Sequence, residues 1–89
     1  MNELKDTITA MTSDDYKERF RAEYQQTKIR YEKLKAFCDR IEIAVSYGVG
    51  VEPKHDCPLS MLREQQRRMG GYLGILEQRA IVEGISLAL

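Results

Sequence analysis

Between Phe20 and Val45, the residues Phe20, Tyr24, Thr27, Tyr31, Leu34, Cys38, Ile41 and Val45 recur at alternating steps of four and three. Side chains spaced every 3.5 residues stay on one side of an α-helix, so this spacing predicts one long helix with a coiled-coil-like seam. Thr12 and Ser13 offer capping oxygens, and Asp14 and Asp15 place acids in the first turn, where the helix dipole favours them. The stretch "SYGVGVEP" carries Gly48, Gly50 and Pro53, which oppose continuation. The expected helix therefore covers residues 14–46, about 32 residues and ~48 Å long.

After a loop at 47–57, Pro58 marks a second helix start: a proline in the first turn lacks only an N–H that has no partner there, with Asp56 or Cys57 as the cap. Leu62, Gln66, Met69, Leu73, Leu76, Ala80 and Glu83 continue the three-four spacing. The register passes through Gly70, Gly71 and Gly74 without a break. This predicts a continuous helix over 58–83, although each helical glycine costs about 1 kcal/mol relative to alanine. Gly84 is a candidate C-cap, and residues 84–89 form an apolar tail. Leu4, Ile8 and Met11 lie at i, i+4 and i+7, which suggests a short helix within 1–11.

The fold class is thus all-α: one domain over 1–89, built as a long antiparallel helical hairpin with a short N-terminal helix. With the hairpin tip near Glu52, facing residues have numbers summing to about 104. That register sets Leu34 by Gly70, Tyr31 by Leu73 and Thr27 by Leu76. Phe37, Ile43, Met61, Tyr72, Ile75 and Val82 lie off the seam. A chain of 89 residues has a small core, so these spare apolar positions suggest a homo-oligomer or docking on a partner.

Fourteen basic residues balance fourteen acidic ones, which argues against general nucleic-acid binding. No apolar run approaches the ~18 residues of a membrane span, and the N-terminus shows no signal-peptide pattern. Cys38 and Cys57 are the only cysteines. The expectation is a soluble cytosolic chain with reduced thiols and no membrane contact.

Two readings compete for the glycine cluster. In one, the glycines admit a neighbouring ring such as that of Tyr31. In the other, Arg63, Arg67, Gly70 and Gly74 share a stripe at steps of four, three and four, with Arg68 and Gly71 adjoining. Guanidinium forks suit phosphate, bare helical backbone admits a sugar or base, and Tyr24, Tyr31 or Tyr72 could stack on it. There is no GxxxxGK[ST] or GxGxxG loop. His55 and Cys57 form an H-x-C pair without the further ligands that a closed zinc site needs, so no metal or cofactor is expected. Ser60 fits helix initiation better than nucleophilic chemistry, and no acid–base constellation is evident, so the reading is non-enzymatic.

The segments "AEYQQTKIRYEKLKAFCDRI" and "PLSMLREQQRRMGGYLGILEQRAIVEGI", joined by a short Gly/Pro loop, resemble a family of small phage and prophage helical proteins related to a crAss-like phage protein. The similarity runs from Ala22 to Ile85. It implies a phage origin, action in the cytoplasm of the bacterial host, and a counter-defence role. One class of counter-defence protein, the helical-hairpin oligomers that sequester cyclic-nucleotide immune signals, is similar in size and inferred shape only. The resulting expectation is an oligomer that binds a cyclic nucleotide or ADP-ribose-type ligand. The rival expectation is a protein–protein inhibitor or assembly module that docks on a host protein such as a defence nuclease.

Overall fold

The computed structural model describes residues 3–88. A 3-10 turn at Leu4–Thr7 leads into a single α-helical turn, α1 (Ile8–Met11), followed by α2 (Tyr16–Tyr47) and α3 (Leu59–Glu83). The ends of the expected N-terminal helix and apolar tail, at 1–2 and 89, lie outside the described residues.

Asp15, rather than Ser13 or Asp14, caps α2, accepting a hydrogen bond from the Lys17 amide at 2.9 Å. Ser13 instead supports the approach to the helix, its hydroxyl oxygen accepting from the Asp15 amide at 3.1 Å. Gly48 ends α2 in the left-handed region at φ 66°, which a glycine adopts without steric cost. Pro58, expected as the first helical residue, is instead the N-cap of α3 in place of Asp56 or Cys57, so the helix begins one residue later than expected, and the Pro58 carbonyl accepts from the amides of Met61 and Leu62.

The two long helices run antiparallel. Tyr24 meets Glu77, Asp39 meets Arg63, and Tyr31 meets Gly70. The numbers of these pairs sum to 101, 102 and 101, not the expected 104, so the facing pairs proposed from sequence are displaced by nearly a turn. At the observed register the first residue of α3, Leu59, falls opposite Glu42 or Ile43. Beyond that point α2 overhangs its partner. Val45, expected on the seam, is therefore 62% exposed.

Phe20, Tyr24, Leu73, Leu76, Ala80 and Ile85 form the core, with Tyr31 and Leu87 packed against it. Ile85 belongs to the tail, which folds back over the start of α2. Gly84, at φ 67°, reverses the chain there, and the Ile85 amide donates to the Ala80 carbonyl at 2.8 Å. Arg21 and Gln25 donate to the carbonyls of Ser86 and Leu87 at 2.6 and 2.8 Å.

The N-terminal segment packs on α2. Its buried residue is Thr7 rather than Ile8 or Met11, both of which are exposed. The Thr7 hydroxyl donates to the Leu4 carbonyl at 2.7 Å, so its burial leaves no polar group unsatisfied. Helical geometry places Ala22 and Ile29 on the side of α2 away from the seam, and their burial is consistent with cover from this segment.

Candidate functional site

Tyr24, Tyr31 and Gly70 come together at a shallow cleft of about 240 Å³ between the long helices, with Lys28, Glu32, Leu73 and Glu77 completing its wall. A Cβ built on Gly70 would fall 3.1 Å from Tyr31 Cε1, so the first glycine of the cluster makes room for a ring. The Tyr24 hydroxyl donates to Glu77 Oε2 at 2.6 Å. Burial, followed by the carboxylate of Glu77, pushes the Tyr24 phenol up to about 12.

Gly71 and Gly74 differ from Gly70: beyond the adjoining residues and the backbone of its own helix, nothing lies within 4 Å of a Cβ added to either. Residues two apart on an α-helix stand about 200° apart around its axis. Arg68 and Tyr72 therefore project from the flank of α3 opposite to Gly70 and Gly74. Tyr72 crosses to α2 there, its hydroxyl donating to the Glu23 carboxylate. The residues singled out from sequence thus separate into two groups: Tyr24, Tyr31 and Gly70, with Arg67 and Gly74 along the same flank, and Tyr72 and Arg68 away from them.

All three arginines already hold carboxylates. Arg63 reaches Asp39 at 2.9 Å and Glu42 at 3.4 Å, tying the helices together. Hydrogen bonds from Arg63 and then Lys35 hold the Asp39 carboxyl below its ordinary value. Arg67 and Arg68 share Glu64, at 2.5 and 2.9 Å, and their hydrogen bonds draw that carboxyl down to about 2. Two guanidiniums on one carboxylate leave a surplus positive charge, and both side chains are largely exposed. Arg63 is better placed as an interhelical clasp than as a free phosphate ligand.

Sequence reasoning did not identify Lys28, Glu32, Glu77, Asp39 or Glu42. A register sum of 101–102 would have set Asp39 opposite Arg63 and Glu77 opposite Tyr24. The signal was therefore present and was masked by the misplaced tip.

His55 lies in the interhelical loop with Nδ1 2.6 Å from the Cys57 carbonyl and Nε2 2.7 Å from Glu52 Oε2, edge-on to Phe37. Among the described residues no group of three or more His, Cys, Asp or Glu side chains gathers as a metal site, and no helix is long and apolar enough to cross a membrane. Cys38, buried, and Cys57 are free thiols.

Residues 14–81 match the sequence profile of the family described as Sequestin. The match covers α2, nearly all of α3 and most of the chain, and the protein belongs to that family. No curated protein and no solved structure matches the chain.

Proposed function

From membership of the Sequestin family, we propose that this chain is a non-enzymatic binding protein that sequesters a small phosphorylated nucleotide, a cyclic nucleotide or an ADP-ribose derivative. On this reading it is phage-encoded and withdraws an immune signal in the cytoplasm of the bacterial host. The family's printed name points to sequestering. The observation that carries the chemistry is the flank of α3 on which the exposed Arg67 stands one turn from Gly70 and two from Gly74, with no protein atom above Gly74. Arg67 is free to exchange its share of Glu64 for a phosphate, because Arg68 remains on that carboxylate. Gly74 lets a sugar or base approach the helix backbone, and Tyr31 and Tyr24 border the same flank. Within the cleft, Lys28 is outnumbered by Glu32 and Glu77. The phosphates therefore belong at Arg67, and the cleft takes the less charged part of the ligand.

Calorimetric titration of the native protein with cyclic di- and trinucleotides and ADP-ribose derivatives tests this reading. Binding in the micromolar range or tighter supports it, and no heat with any of them at tens of micromolar overturns it. Arg67→Ala should weaken binding by roughly 10-fold or more, equivalent to about 1.4 kcal/mol, with helix content unchanged.

A second reading is favoured by a different observation. Val45, Tyr47, Val49 and Val51 are all exposed at the hairpin tip, a concentration of apolar side chains that the ligand reading does not use. They suit docking on a host protein such as a defence nuclease. A stoichiometric protein partner recovered from host lysate, lost on Val51→Glu, would favour this reading.

A further inference from the structure

Glu64 is followed by arginines at i+3 and i+4, and it holds the two unequally. Arg67 is engaged through its fork edge, Nε donating to Glu64 Oε2 at 3.1 Å and Nη2 to Oε1 at 2.5 Å. Arg68 gives one donor only, Nε to Oε1 at 2.9 Å, and forms no other hydrogen bond among the described residues. A guanidinium binds phosphate through the same edge that binds a carboxylate. In the unliganded chain the anion site at Arg67 is therefore already filled by the chain's own carboxylate. That occupant is a permanent charge, because hydrogen bonds from Arg67 and then Arg68 draw the Glu64 carboxyl down to about 2. Tethered one turn away, it also acts at an effective concentration on the order of millimolar.

We propose that Glu64 is an internal competitor for the phosphate of the ligand, and that Arg68 is the residue that takes it away: on binding, the carboxylate passes from Arg67 to Arg68, whose unused Nη donors meet the oxygen that Arg67 releases. The exchange rests on the reading that Arg67 takes the phosphate, and it adds what regulates that site. Arg68 projects from the other flank of α3 and touches no ligand, so it is a positioning residue that acts through Glu64. The charges set the direction. With Arg68 present, one shared carboxylate gives way to two separate ion pairs, Arg67 with phosphate and Arg68 with Glu64. Without it, the released carboxylate would stand unpaired within a turn of the incoming phosphate, and the two like charges would repel. The competitor also sets a threshold for entry. A phosphate group carrying two charges gains by displacing a carboxylate that carries one, whereas a singly charged carboxylate in solution only replaces like with like.

Titration of the full chain with inorganic pyrophosphate, followed through the Nε–Hε NMR signals of Arg67 and Arg68, tests the exchange. The signal of Arg67 should shift saturably. Glu64→Gln should tighten binding by about 5-fold, the scale of one exposed ion pair. Arg68→Ala should weaken it by about 5-fold in the wild-type background but by less than about 2-fold beside Glu64→Gln, where no carboxylate has to be taken away. Comparing the two backgrounds separates the exchange from the plain loss of a positive charge, which both feel alike. All three side chains are at the surface, so helix content should stay that of the wild type. The proposal is overturned by a Glu64→Gln variant that binds no more tightly than wild type, by an equal Arg68→Ala loss in both backgrounds, or by no saturable shift at Arg67 in either background well into the millimolar range. If this pattern holds while nucleotides fail to bind, the competitor stands and the nucleotide reading falls. Nucleotides that bind wild type and Glu64→Gln equally well sink the competitor and leave that reading in place.

Discussion

The edge of the Tyr31 ring lies against the backbone of Gly70, with Cε1 only 3.1 Å from where a β-carbon would stand. This contact joins α2 to α3 at the point where the glycine cluster begins, and it separates the energetics of Gly70 from those of Gly74.

Gly70→Ala gains about 1 kcal/mol of helix propensity but must push the Tyr31 ring aside by a few tenths of an ångström against its packing on the core. The expected net effect on chemical denaturation is no gain or a small loss. In a Tyr31→Leu background the same substitution should stabilise by about 1 kcal/mol. Gly74→Ala, with nothing to displace, should stabilise the chain by about 1 kcal/mol in either background. Equal gains at positions 70 and 74 in the wild-type background would contradict the contact.

Leu76 is 1% exposed and touches the centre of the core. Leu76→Ala should cost about 2–5 kcal/mol, much of the stability of so small a domain. Val45→Ala, on the overhanging end of α2, should be nearly neutral although both residues hold seam positions in the sequence. Denaturation midpoints of the two variants check this contrast.

Tyr24→Phe removes the hydroxyl that donates to Glu77 and leaves the ring in the core. The Glu77 carboxylate is exposed and regains water, so the expected loss is about 1 kcal/mol. Spectrophotometric titration of the wild type should show one tyrosine that ionises only near pH 12 and is absent from the Tyr24→Phe curve.

Both ring nitrogens of His55 face acceptor oxygens, an arrangement that the doubly protonated imidazolium satisfies. The Cys57 carbonyl and then the Glu52 carboxylate raise its pKa in the folded state. Asp56 adds to that field, and Arg40 of α2 stands over the neighbouring Phe37. A raised folded pKa contributes stability that is complete below the unfolded value of about 6.5 and is lost as pH rises through the folded value. Amide exchange in the loop should therefore quicken as pH passes upward through that range, beyond the intrinsic acceleration seen in a His55→Gln control. The His55 pKa measured by NMR should fall on Glu52→Gln.

The sequence by itself determined the two long helices, their caps to within a residue or two, and the face each turns to the other. These are local properties: the three-four spacing, Gly48 and Gly84 at positive φ, and a proline beside the start of α3 act within a few residues of themselves. It also marked the cluster at Gly70, Gly71 and Gly74 as a place of close approach, without separating its members. The tertiary structure alone decided the register, because the loop fixes how far α2 overhangs α3, and a heptad seam slides by a turn with little change in its pattern. That register put Tyr31 on Gly70, gave Arg63 to Asp39 and left Val45 in solvent. Only the folded chain could show that Gly70 is filled by a ring while Gly71 and Gly74 stay open, since what stands above a glycine depends on residues some forty positions away.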